Sequence, residues 1–216
     1  MTKTSQARST RWALLALAGA LQFGAIGAAS AQEVRESLNV WFDVLFDENG
    51  QAQQITPIDE STQSPGFWQQ MSARLQKAKI PPRQEGGRNV SFRTGVQLYL
   101  AVDKEKSSVA IRHMRMSPIP TKVYYAAYPR DTGAGWEGEL KMICRVGTEG
   151  TCVQANVEAP AGMPESVRRF GRASMDQWRF KPQEADGKPI EGEYVVTMKL
   201  RTEDFQPVDF RDPRKL

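Results

Sequence analysis

The stretch Trp178-Arg179-Phe180-Lys181-Pro182, followed by Gly187-Lys188-Pro189 and the alternating run Tyr194-Val195-Val196-Thr197-Met198-Lys199-Leu200, decides how this chain folds. An amphipathic segment ends there on two aromatics around an arginine, meets a proline, turns through a glycine and enters a strand. Two rings at such a point read either as a binding site or as the closing end of a core. The core reading is favoured, because a helix covering one sheet face needs bulk at its last turn. Burying a Trp or Phe contributes roughly 2 to 3 kcal/mol each. Arg179 then points outward or lies over a ring.

The same passage has a fainter precedent one hundred residues earlier. With residues 40–100 laid under 140–200 and no gap, Val40, Phe42, Val44 and Phe46 fall on Leu140, Met142, Cys144 and Val146. Each run has the period of two of a half-buried strand. Gly50 falls on Gly150, closing "DENG" and "GTEG", which read as hairpin turns whose last residue takes a positive φ. A short second strand follows in each. Val167, Phe170, Gly171, Ser174, Met175 and Trp178 mark one helix face, with Pro164 suited to the first turn, and Phe67, Met71, Leu75 and Ala78 mark the matching face. Both helices are expected to run to a proline, Pro82 and Pro182. Gly87 and Gly187 then precede the closing strands, Val96, Leu98, Leu100 and Val196, Met198, Leu200.

Few letters are identical, so chance likeness of two strand-turn-helix units is the alternative to tandem duplication. The ungapped coincidence of turn, helix face, helix stop and closing strand selects duplication. The expected fold class is α+β: two tandem ββαβ units, each an antiparallel sheet covered by one helix. "VAIRHMRM", after the "KEKS" turn, extends the first sheet, and "SPIPTK" reads as a linker.

With 216 residues, 40% of them hydrophobic, the chain holds one ordinary domain or two small ones. Its first part reads as a leader. Lys3, Arg8 and Arg11 precede the apolar stretch Trp12 to Ala29, and Ala29-Ser30-Ala31 has the small-x-small pattern of a signal peptidase site. Cleavage after Ala31 is expected; an uncleaved membrane anchor is the alternative, since the stretch approaches the ~20 residues of a span. The organisation is therefore 1–31 signal peptide, 32–118 first repeat, 119–216 second repeat. Removing the leader takes three basic residues from a net charge of +4 and leaves about +1. A nucleic-acid partner, which needs a clustered basic face, has no support. Export also places the chain where disulfides form.

The second half, from "YYAAYPRDTGAGWEGELKMICRVGTEGTCVQANVEAP" to "WRFKPQEADGKPIEGEYVVTMKL", resembles the TonB C-terminal domain family. The resemblance is carried by Tyr128-Pro129, Gly138 just before strand one, Gly150, Trp178-Arg179-Phe180-Lys181-Pro182 and Gly187-Lys188-Pro189, over about eighty residues. The first half looks like a degenerate relative without the Tyr-Pro lead-in and the aromatic pair. The resemblance implies a non-enzymatic periplasmic protein whose last strand, Glu193, Tyr194, Val195, Val196, Thr197, Met198 and Lys199, accepts a partner strand through main-chain hydrogen bonds. The implied partner is an envelope protein or an outer-membrane receptor segment. A second copy occupying that edge within the chain is the alternative. Energy transducers of the family carry an anchoring helix with a proton-responsive histidine and a Pro-rich spacer. Here the single histidine is His113, far from the leader, and no such spacer follows Ala31. If the leader stays in the membrane, motor proteins resembling ExbB and ExbD become the expected partners of an energy transducer.

Other chemistry is sparse. Cys144 and Cys152 lie on the two arms of a predicted hairpin, opposite in a symmetric register or diagonal after a three-residue loop, and share a sheet face either way. They form a cross-strand disulfide or two buried thiols; the spacing is not Cys-x-x-Cys. His113 between Arg112 and Arg115 makes a poor metal site or general base and reads as an ordinary strand residue. Arg168, Arg169 and Arg172 read as the solvated side of a helix. No nucleophile elbow, phosphate loop or paired His-Glu motif occurs, so an enzyme, a cofactor, a metal and a small-molecule substrate are not expected.

Overall fold

The structure, a computed structural model, describes residues 36–103, 108–127, 129, 135–158, 160–203 and 206–207. The leader and Tyr128 lie outside the described residues. Two long hairpins dominate. The first joins β1 (Glu36–Phe46) to β2 (Ala52–Ile58), and helix α1 (Pro65–Gln76) follows. A short hairpin, β3 (Arg83–Glu85) with β4 (Arg88–Val90), leads to β5 (Phe92–Asp103) and β6 (Ser108–Ser117). After β7 (Ile119–Lys122) come β8 (Trp136–Val146), β9 (Cys152–Glu158), α2 (Glu165–Met175) and β10 (Arg179–Lys181). The chain closes with β11 (Gln183–Ala185), β12 (Lys188–Ile190), β13 (Gly192–Glu203) and β14 (Gln206–Pro207). The class is α+β. The elements β1, β2, α1, β3, β4 and β5 begin one hundred residues before β8, β9, α2, β11, β12 and β13, respectively.

Every strand pair is antiparallel. In the first sheet the order is β12-β11-β5-β1-β2, with β6 also on β5; in the second it is β14-β13-β8-β9. Alternation does what a pleated strand requires: Val40, Phe42, Val44 and Phe46 are buried under α1, and Leu140, Met142, Cys144 and Val146 are buried under α2. Gly50 and Gly150 sit at φ +77° and +72°, and each turn is also pinned from behind. The Gly50 carbonyl accepts from the Ile80 amide, and the Gly150 carbonyl from the Phe180 amide. A Cβ at either glycine would collide with the carbonyl oxygen of Ile80 or Phe180.

Several expectations need correction. The helices end at Gln76 and Met175, several residues before Pro82 and Pro182. The chain there has already become extended to meet the hairpin turns, through the bridges Gln51 to Lys79 and Thr151 to Arg179. Trp178 therefore lies beyond the helix, yet is fully buried. On α1 the buried residues are Trp68, Met71 and Leu75, and Phe67 is only half-buried. Trp68 reaches the Phe42 ring edge-on and donates its indole N–H to the Glu60 carbonyl. Gly138 lies inside β8 rather than before it, beneath the Trp136 ring, and Gly87 and Gly187 turn short hairpins that the four-element plan omits. "SPIPTK" is no loose linker: Ile119–Lys122 pairs with Arg179–Lys181, and Ser117, Pro118, Ile119 and Pro120 are buried. Ile119 packs where Gly95 leaves room for it.

The described residues all belong to one compact unit. Trp41 points away from α1 and joins the second core, stacking on Tyr194 with ring centroids 6.4 Å apart. The Tyr194 ring in turn meets those of Trp178 and Phe180 at 5.9 and 5.1 Å. β11 crosses into the first sheet, setting Glu184 and Ala185 opposite Arg93 and Phe92. Its turn, Asp186-Gly187, is held when the Asp186 carboxylate accepts from the Ser91 amide and from Arg88.

Candidate functional site

The expected edge strand is β13. Its side chains alternate: Tyr194, Val196 and Met198 are buried, Glu193, Thr197 and Lys199 are exposed, and Val195 is intermediate. One side of the strand is fully paired with β8, from Gly192 opposite Val146 to Thr202 opposite Trp136. On the other side the Val195 carbonyl accepts a hydrogen bond from Arg115 Nη1 at 2.8 Å. That carbonyl therefore points away from β8. In an antiparallel ladder the backbone groups of alternate residues face the same way, so those of Glu193, Thr197 and Lys199 face outward too.

What lies along that side is uneven. At its start, Gly192 has Gln183 and Pro118 over its sheet face, where a Cβ would collide with both. At the far end β14 pairs with Thr202 and Glu203. Among the described residues no strand pairs with residues 196–201 there, a gap of roughly 20 Å. The corresponding side of β5 is filled: β11 lies opposite Phe92 and Arg93, and β6 runs opposite Gly95 to Asp103. No family model, curated protein or solved structure matches this chain.

The outer face of the second sheet around β13 is polar. Lys141 Nζ meets Glu158 at 2.7 Å, and a shallow depression of about 500 Å³ is lined by Ile143, Arg145, Gln154, Asn156 and Glu191 to Glu193. Among the described residues there is no cluster of three side chains able to hold a metal, and no helix long and apolar enough to cross a membrane.

The other singled-out residues occupy structural positions. Trp178 and Phe180 are in the second core, and the Trp178 indole N–H donates to the Tyr124 carbonyl at 2.7 Å. Arg179 is exposed and donates to the Trp178 carbonyl. Pro129 is buried, and Pro182 follows β10 directly. Cys144 and Cys152 form a disulfide, with Cα atoms 5.6 Å apart. Their relation is the diagonal one, since a bulge sets Cys152 opposite Val146 while Cys144 faces Ala155. His113 is an exposed β6 residue beside Tyr99. Arg168 lies 3.2 Å from Glu165, and Arg169 and Arg172 are exposed on α2.

Arg115 carries no signal of its contact with Val195 in the sequence, where it is one of two arginines flanking His113. Nothing local announces that its guanidinium meets a carbonyl eighty residues away, because that contact depends on how the two sheets are set against each other.

Proposed function

We propose that this chain is an exported, non-enzymatic envelope protein built from two TonB-C-like ββαβ units, in which the second unit binds a partner segment by strand addition at β13. The observation that carries this reading is the contrast between two matched edges: that of β5 is filled by β6 and β11, and that of β13 is, among the described residues, unpaired over residues 196–201. An unpaired edge is a ready template for main-chain hydrogen bonds from an extended chain. The common one-hundred-residue offset of six elements supports duplication, with the short hairpins as part of each unit. Resemblance of the second half to the TonB C-terminal domain supports a periplasmic setting and an envelope protein or receptor segment as partner.

Isotope-labelled residues 32–216, titrated with an extended peptide from the periplasmic segment of an outer-membrane receptor, test the reading. Amide shifts concentrated at Thr197 and Lys199 are expected; silence along residues 196–201 at saturating peptide would remove it. Sequencing the mature N-terminus tests export: a start at Gln32 agrees with a periplasmic protein, and a retained leader points instead to an anchored transducer with ExbB- and ExbD-like partners.

A further inference from the structure

We propose that Arg115, a residue of the first unit, plugs the β13 edge, so that a strand adds there in full register only after the guanidinium leaves the Val195 carbonyl. This rests on the strand-addition reading above. The first unit displays what an added strand looks like on such an edge. On β5, Ser117 sits opposite Gly95, Arg115 opposite Gln97 and His113 opposite Tyr99. One hundred residues on, Gly95 becomes Val195, and its outward carbonyl is met by the Arg115 side chain rather than by a strand.

Three features make this contact a plug. It is a charged donor on a neutral acceptor at 2.8 Å, stronger than the peptide N–H that would replace it. Arg115 is half-buried, with its backbone fixed in β6, so the fork is held in place. Among the described residues it makes no ion pair that would draw it elsewhere. An incoming strand therefore begins its ladder at Thr197 and Lys199, and its next hydrogen bond, at Val195, requires an exchange that is unfavourable at that position. The first unit thereby sets both the length of edge on offer and the affinity of the second.

The test uses a synthetic peptide copying β6, Ser-Val-Ala-Ile-Arg-His-Met-Arg-Met-Ser, since this is the strand the chain itself adds to the matched edge. Binding to residues 32–216 is followed by amide shifts at about 0.5 M salt, where repulsion between basic groups is largely screened. Arg115→Ala is expected to bind about fivefold more tightly than the wild type, the worth of one net hydrogen bond. Its footprint should extend from Thr197 and Lys199 to Val195 and Glu193. Arg115→Met keeps the aliphatic stem packed, removes every donor, and should do the same if the alanine variant folds poorly. Equal affinity and footprint in wild type and variants, or weaker binding by the variants, overturns the plug while leaving strand addition standing. A peptide that perturbs none of the three proteins removes strand addition, and the plug with it.

Discussion

The Asp43 carboxylate and the Lys181 ammonium, 138 residues apart, meet at 2.6 Å across the junction between the first sheet and β10. Arg93 completes the group with a two-pronged contact, Nη2 at 2.8 Å and Nε at 3.0 Å from the same carboxylate. Burial acts to raise the Asp43 pKa. The hydrogen bonds from Arg93 and Lys181, together with their charges, outweigh it and hold the carboxyl below its ordinary value.

A depressed folded pKa stabilises the protein above the unfolded value and is lost as pH falls through the folded one. The Asp43 contribution to the urea midpoint should therefore be constant from neutrality down to about pH 4 and be lost below that. Asp43→Asn should cost about 2 kcal/mol at pH 7, the Lys181 arm being partly screened by solvent, and should shrink the loss of stability below pH 4. An unchanged acid limb in the variant would show that other carboxylates set it.

Trp41 links the two cores, and its indole N–H has no partner among the described residues. Trp41→Phe removes no hydrogen bond and should cost about 1 kcal/mol, while Trp41→Ala should cost about 3 to 5 kcal/mol. The whole chain should unfold in one transition. A fragment of residues 119–216 lacks Trp41 over Tyr194 and lacks β5 beside β11, and should show no cooperative melting by circular dichroism. A fragment that melts cooperatively would show that the second unit does not need the first.

Gly150 and Gly187 separate two costs of adding a methyl group. Both have positive φ, +72° and +71°, but a Cβ at Gly150 meets the Phe180 carbonyl, whereas one at Gly187 meets open space. Gly187→Ala should lose about 1 kcal/mol through backbone strain alone, and Gly150→Ala about 3 kcal/mol or more because the turn must also move. Chemical denaturation of the two variants side by side checks the difference.

The disulfide occupies positions that the first unit fills with Val44 and Ala52, both buried. The double variant Cys144→Val, Cys152→Ala copies that packing, so its cost isolates the cross-link. About 2.5 kcal/mol is expected for so short a loop. Reduction of the wild type should lower the urea midpoint by a similar free energy.

Much of the fold was legible because it is local. The period of two in Val40 to Phe46 and Leu140 to Val146, the helix face through Val167, Phe170 and Met175, and the glycines ending each hairpin turn follow from backbone geometry within a few residues. Phe67 and Trp68 both fit a helical face of similar width, and only the position of Phe42 beneath α1 selects Trp68 for the core. Pro82 and Pro182 do not stop the helices, because the pull of the hairpin turn on residues 79 and 179 comes from another element and acts first.

Local periodicity and turn chemistry are enough to place the long strands, the two helices and the two main hairpin turns. Packing at long range sets the rest: Ile119–Lys122 pairs as a strand, Trp41 serves the second core, β11 joins the first sheet, and Arg115 meets Val195. The reason is range. Periodicity records which side of an element is apolar, but the element that covers it depends on packing between surfaces whose residues are eighty to one hundred and forty positions apart.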